Sequence, residues 1–163
     1  MKQRIYGFRL LATVLSTFAV SGSAITAESL PFKGQSSGTV TTTGFDPVAG
    51  VVSVHGVGAG EATHLGHFNV TSDVKIFLTT GAVVGTWTLT AANGDMIVAT
   101  GTGSGIDPTH GFGTFTIVSG TGRFQGATGS YQQIITFAEP GDPTVTVNPY
   151  SEVLTGRISF GPK

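Results

Sequence analysis

The sequence predicts an all-β fold: a single antiparallel β-barrel of about eight strands behind an N-terminal signal peptide. Three observations carry this. Only 10% of the residues are charged, 25 are glycine and threonine recurs throughout, a composition that favours pleated strands and tight turns over helices. Short runs alternate apolar and small or polar residues with period two, the spacing that puts one set of side chains on each face of a strand. No segment after the leader offers an amphipathic helix of useful length. Seven or eight strands with turns between neighbours form an up-and-down barrel or a sandwich. The barrel is preferred, because closure removes exposed edges that would make Thr-Val strands aggregate.

The leader combines Lys2, Arg4 and Arg9 with an apolar stretch from Leu10 to Val20 and the small residues Ser21-Gly22-Ser23-Ala24. This is the layout of a secretory signal peptide, and its apolar part is about half the roughly 20 residues that a spanning helix needs. Cleavage after Ala24 satisfies the small-residue rule; cleavage after Ala27 is the second choice. Residues 1–24 are thus expected to be removed and 25–163 to form one domain, secreted or periplasmic and without a membrane anchor. The 163-residue chain has no cysteine, so an exported domain of this size must be held by packing. After the leader, five Lys and Arg face nine acids, which argues against nucleic acid as a partner.

In chain order, Ser29 to Gly34 is short lead-in chain and Gly38 to Gly44 a Thr-rich strand, turned by Asp46-Pro47. Val51 to Val57 is the next strand, ended by Gly56, Gly58 and Gly60. Glu61 to Thr71 reads as one longer strand with Ala62, His64, Gly66, Phe68 and Val70 on one face, and Val74 to Leu78 extends or follows it. Val83 to Thr90 alternates most clearly, with Val83, Gly85, Trp87 and Leu89 on one side. Asn93-Gly94 predicts a two-residue hairpin turn leading to Met96–Gly103. Gly111 to Val118 is followed by a Gly-rich connection and by Ser130 to Glu139, in which Tyr131, Gln133, Ile135 and Phe137 share a face. Pro140, Pro143 and Pro149 make a loop, with Thr144 to Val147 extended within it. Glu152 to Phe160 closes the chain, with Leu154, Gly156, Ile158 and Phe160 on one face.

Few residues invite chemistry. Glu and His are common zinc ligands, but on one strand Glu61 and His67 lie about 20 Å apart and His64 faces the other way, so no metal and no cofactor is expected. Gly120-Thr121-Gly122 lacks the helix and third glycine of a dinucleotide loop. Gly103-Ser104-Gly105 falls in a hairpin and not at the strand-to-helix turn of a nucleophile elbow. Paired carboxylates would need convergence of acids such as Glu61 and Glu139, which sequence does not establish. Arg123, in the Gly-rich connection, either binds an anion or holds backbone carbonyls with its planar fork; the structural role is favoured.

Ile117 to Tyr131 packs glycines 120, 122, 126 and 129 around Arg123-Phe124. Val118 to Tyr131 resembles the Gly-Gly-Thr-Gly-Arg-Phe segment of plant dirigent proteins and the related region of allene oxide cyclases, both small calycin-type barrels. Gly60 to Gly66 and Ala91 to Asp95 are similar to segments of small exported bacterial proteins with an allene-oxide-cyclase-like barrel. The resemblance implies an apolar barrel interior and, as in the plant families, a homotrimer. It departs at Thr128, where dirigent proteins tend to have arginine, and in lacking cysteine. No catalytic residue of either family aligns outside the motif.

The expected function is binding of a small apolar ligand inside the barrel, lined by Phe68, Trp87, Phe115 and Tyr131 with His64 as a polar contact, since apolar pockets use few polar anchors. The alternatives are a cofactor-independent isomerase or cyclase that shapes a flexible substrate away from water, and a structural surface or matrix protein with a filled core.

Overall fold

The computed structural model describes residues 28–140 and 147–161; the predicted leader, its cleavage sites and most of the extended stretch from Thr144 lie outside them. Eight strands run in order: β1 Ser29–Asp46, β2 Val51–Ala62, β3 Gly66–Phe77, β4 Ala82–Ala91, β5 Met96–Asp107, β6 His110–Gly120, β7 Thr128–Phe137 and β8 Val147–Ser159. Each pairs antiparallel with its neighbour, and β1 pairs with β8 to close the barrel. The expected fold class is therefore the observed one. Closure leaves no free edge, which Thr-Val strands require. Among the described residues no helix is long and apolar enough to cross a membrane.

Period-two alternation places one set of side chains inside. Phe32, Phe68, Leu89, Ile97, Ile117 and Ile158, from six different strands, are all buried. Each contributes about 1.5–3 kcal/mol by leaving water. Lead-in residues 29–34 are not separate chain: they begin β1, because Phe32 is drawn into this core and the β8 ladder extends to Ser29.

Two sequence expectations are corrected here. Glu61 to Thr71 is not one strand. β2 continues to Ala62, the chain reverses at Thr63-His64-Leu65, and β3 begins at Gly66. The reversal uses left-handed backbone at His64 (φ 69) and Gly66 (φ 70); histidine is among the side chains that tolerate this region. Nor is Asn93-Gly94 a two-residue turn. Gly94 N–H donates to Ala91 O and Ala91 N–H to Asp95 O, and of the pair only Gly94 has positive φ (86). That is the three-residue loop, a turn followed by a left-handed glycine.

The turns sort the barrel into two ends. The 63–65 and 92–95 turns and the long 121–127 connection crowd one end. There Phe124, in a single 3-10 turn over Gly122–Phe124, is buried and packs against Phe160, ring centroids 6.2 Å apart. Gly120 permits this approach: a Cβ on it would lie 2.2 Å from Phe124 O. The 47–50, 78–81 and 108–109 turns surround the opposite end, which none of the described residues plugs.

Candidate functional site

The unplugged half of the barrel holds a cavity of about 340 Å³. Its walls follow from strand parity: Val52 and Val54 on β2, Val74 and Ile76 on β3, Val83 on β4 and Ile135 on β7 all point inward. On β5 and β6 the inward positions Gly103, Gly105, Gly111 and Gly113 line it with backbone; a Cβ would lie 2.4 Å from Phe112 O at 103 and 2.7 Å from the Phe115 ring at 113, so close packing holds these two positions to glycine. Gly103-Ser104-Gly105 is thus part of a cavity wall within β5, and the hairpin turn lies beyond it at Pro108-Thr109.

Aromatic rings form the floor. Trp87 meets Phe115 edge-on (centroids 4.4 Å, interplanar angle 82°), Phe115 stacks on Tyr131 (5.0 Å, 10°), and Tyr131 leans on Phe32 (5.4 Å). Trp87 and Phe115 reach the cavity; Tyr131 and Phe32 stand behind them in the core.

Beside the aromatics lies a buried polar cluster. Ser36 Oγ donates to Glu152 Oε1 at 2.5 Å, and Gln133 Nε2 donates to Glu152 Oε2. Burial pushes the Glu152 carboxyl above its ordinary range, and these two hydrogen bonds oppose that rise. Tyr150, also on β8, is pushed up to about 12 by burial and by the neighbouring Glu152. Glu152, Gln133, Tyr150 and Ser72 all border the cavity. Asn148 borders it nearer the mouth and clamps the backbone of Glu139, accepting from its N–H (3.2 Å) and donating to its carbonyl (2.9 Å).

Asp107 and His110 stand at the mouth. Asp107 Oδ1 accepts from the backbone N–H of Thr109 and of His110, each at 2.8 Å, and His110 Nδ1 lies 2.8 Å from it. The His110 side chain and these N–H groups hold the Asp107 carboxyl down at about 2.

The five residues singled out in the sequence are distributed unevenly. Trp87 and Phe115 line the cavity, and Phe68 and Tyr131 are core. His64 is outside: its Nε2 lies 3.1 Å from Pro31 O and its ring meets Phe160 edge-on at 5.4 Å, at the plugged end. The parity expected for this run holds, with Ala62, Phe68 and Val70 buried, but His64 falls in the turn between β2 and β3 and so belongs to neither inner face. The same turn brings Glu61 and His67 together as register partners, Oε1 to Nδ1 3.1 Å, where a single strand would have held them apart. Both are exposed, and no group of three or more His, Cys, Asp or Glu suited to a metal ion occurs among the described residues. Glu61 and Glu139 belong to opposite ends and do not converge.

Arg123 serves the plugged end. It donates through Nη2 to Leu65 O at 3.0 Å, approaches Asp95 Oδ2 at 3.8 Å through Nε and lies over the Phe124 ring. Glu152 was missed as a site residue, although continuing the β8 alternation Leu154, Gly156, Ile158 one step back places it on the inner face.

These features define a class: a closed eight-stranded antiparallel barrel, plugged at one end and hollow at the other. Solved structures of two pterocarpan synthase dirigent proteins share the fold. GePTS1 superposes with a TM-score of 0.59 at 12% identity, covering 89% of this chain and 98% of that one. PsPTS1 gives 0.58 at 12% identity over 83% and 97%. The barrel is thus dirigent-like in architecture. No protein-family model matches the sequence, and a search of curated proteins finds no match.

Proposed function

We propose that this is an exported barrel protein that binds one small, mainly apolar molecule in the hollow half. The observation that carries the reading is the one-ended cavity, with valine and isoleucine walls, an aromatic floor and a few polar groups gathered at one side. That combination is characteristic of small-molecule sites, and its volume lies within their usual range. A filled-core structural protein would not leave about 340 Å³ open between these walls.

The test is titration with the uncharged dye N-phenylnaphthylamine, which fluoresces on leaving water. One-to-one saturable binding with energy transfer from Trp87, the chain's sole tryptophan, is expected. Absence of saturation would reject the reading.

A second reading, a cofactor-independent isomerase or cyclase of allene-oxide-cyclase type, is favoured by one observation: Glu152 is a buried carboxyl at the cavity whose proton is retained to higher pH than usual, as general acids require. Two structures with this fold are of synthases, so the architecture is compatible with chemistry on a held substrate. Loss of turnover with retained binding in Glu152→Gln would support it. The trimeric assembly implied by the sequence resemblance is likewise a proposal, to be tested by native mass spectrometry.

A further inference from the structure

We infer that the cavity accepts uncharged or amine-bearing molecules and excludes carboxylates, and that Glu152 sets this selection. The inference rests on the binding reading above and deepens it by assigning the chemical class of the ligand.

The distribution of charge carries it. The charged side chains that line the cavity are both acidic: Glu152 at its inner side and Asp107 at its mouth. Among the described residues no lysine or arginine lines it. The four cationic side chains among the described residues are placed elsewhere. Lys75 is exposed on β3 between the inward-facing Val74 and Ile76. Arg157 is tied to Ser29 on the outside of the β1–β8 pair. Lys33 alternates with the inward-facing Phe32 in β1, and Arg123 holds the plugged end. His110 reaches the mouth, but its Nδ1 is engaged by Asp107 at 2.8 Å.

An anionic ligand would therefore surrender its hydration without meeting a cation, and an unpaired charge is costly to bury. If Glu152 is ionised, the ligand also meets a like charge in surroundings of low dielectric. If Glu152 is protonated, there is still no counter-charge. A carbonyl, hydroxyl or amide meets neither penalty, and Glu152, Tyr150 and Ser72 offer it donors and acceptors. A protonated amine meets an acidic partner.

The experiment is displacement of N-phenylnaphthylamine by two molecules of one skeleton, naphthamide and naphthoate, at neutral pH. Naphthoate is expected to bind at least about tenfold more weakly than naphthamide. In Glu152→Gln, which keeps the side-chain shape and can bond both Ser36 and Gln133, the ratio between the two affinities is expected to narrow. Equal or tighter binding of naphthoate to the wild type would overturn the inference and leave the binding reading standing. An unchanged gap in the variant would remove Glu152 as its cause. Failure of N-phenylnaphthylamine itself to bind would instead reject the binding reading, and this inference with it. The wild-type comparison stands whether or not the variant folds.

Discussion

Glu152 and Ser36 lie directly opposite each other on β8 and β1 and share a 2.5 Å hydrogen bond at the boundary between the filled and hollow halves of the barrel. Both are buried, and so is Gln133, which bonds the other carboxyl oxygen from β7. Three strands are thereby joined through one ionisable group. Among the described residues no buried side-chain nitrogen or oxygen lacks a partner, so the cluster costs little as long as it stays whole.

Removing one partner should be expensive. Ser36→Ala deletes the donor to Oε1 without adding bulk. Chemical denaturation should show a loss of about 1–3 kcal/mol.

The cluster also sets a pH dependence. The Glu152 carboxyl is raised in the folded state, so above the unfolded carboxyl's range the native chain holds more protons than the unfolded one. Its contribution is therefore fully present at acid pH and is lost as pH rises through the folded value. Glu152→Gln removes this titration, and its melting temperature should gain on the wild type as pH rises. Asp107 has the opposite sign: lowered to about 2, it stabilises above the ordinary carboxylate range, and this stabilisation is lost as pH falls toward that value. Melting curves across pH for the wild type, Glu152→Gln and Asp107→Asn separate the two.

Glycine at 101 is required by the aromatic floor. A Cβ there would lie 2.2 Å from Phe115 Cδ1, and Phe115 is already held between Trp87 and Tyr131. Gly101→Ala should therefore cost about 1–3 kcal/mol, with a change in Trp87 emission as its partner ring shifts. Unaltered emission and stability would show that the floor is loose.

The plugged end should be separable from the cavity. Phe124→Ala removes a fully buried ring and should cost about 3–5 kcal/mol, measured by denaturation. The dye affinity of the folded fraction should stay the same, because Phe124 and the cavity occupy opposite ends.

Much of this architecture is legible in the sequence. The β4 alternation Val83, Gly85, Trp87, Leu89 and the β7 alternation Tyr131, Gln133, Ile135 give the correct inward faces, because period two holds wherever a strand is uninterrupted. The Gly-Thr-Gly-Arg-Phe motif marks an architectural element, the plug. What escaped is the turn at Thr63-His64-Leu65. It lacks the usual glycine or asparagine at its first left-handed position and uses His64 there, so the run looked continuous, and the error moved His64 inside and held Glu61 apart from His67. The polar side of the cavity escaped for another reason. Ser36, Gln133, Tyr150 and Glu152 come from three strands, and strand spacing does not reveal which inward positions share a level around a barrel; that depends on register and shear.

The central claim, that the hollow half is the binding site, is tested most directly by blocking it. Val54 points inward from β2 into the cavity, and Val54→Trp places an indole in the space while the plugged half is untouched. Titration of N-phenylnaphthylamine into wild type and variant, each shown folded by circular dichroism, gives the answer. Saturable one-to-one binding to the wild type and its loss in the variant is the predicted result; equal binding to both would place the dye elsewhere and contradict the account.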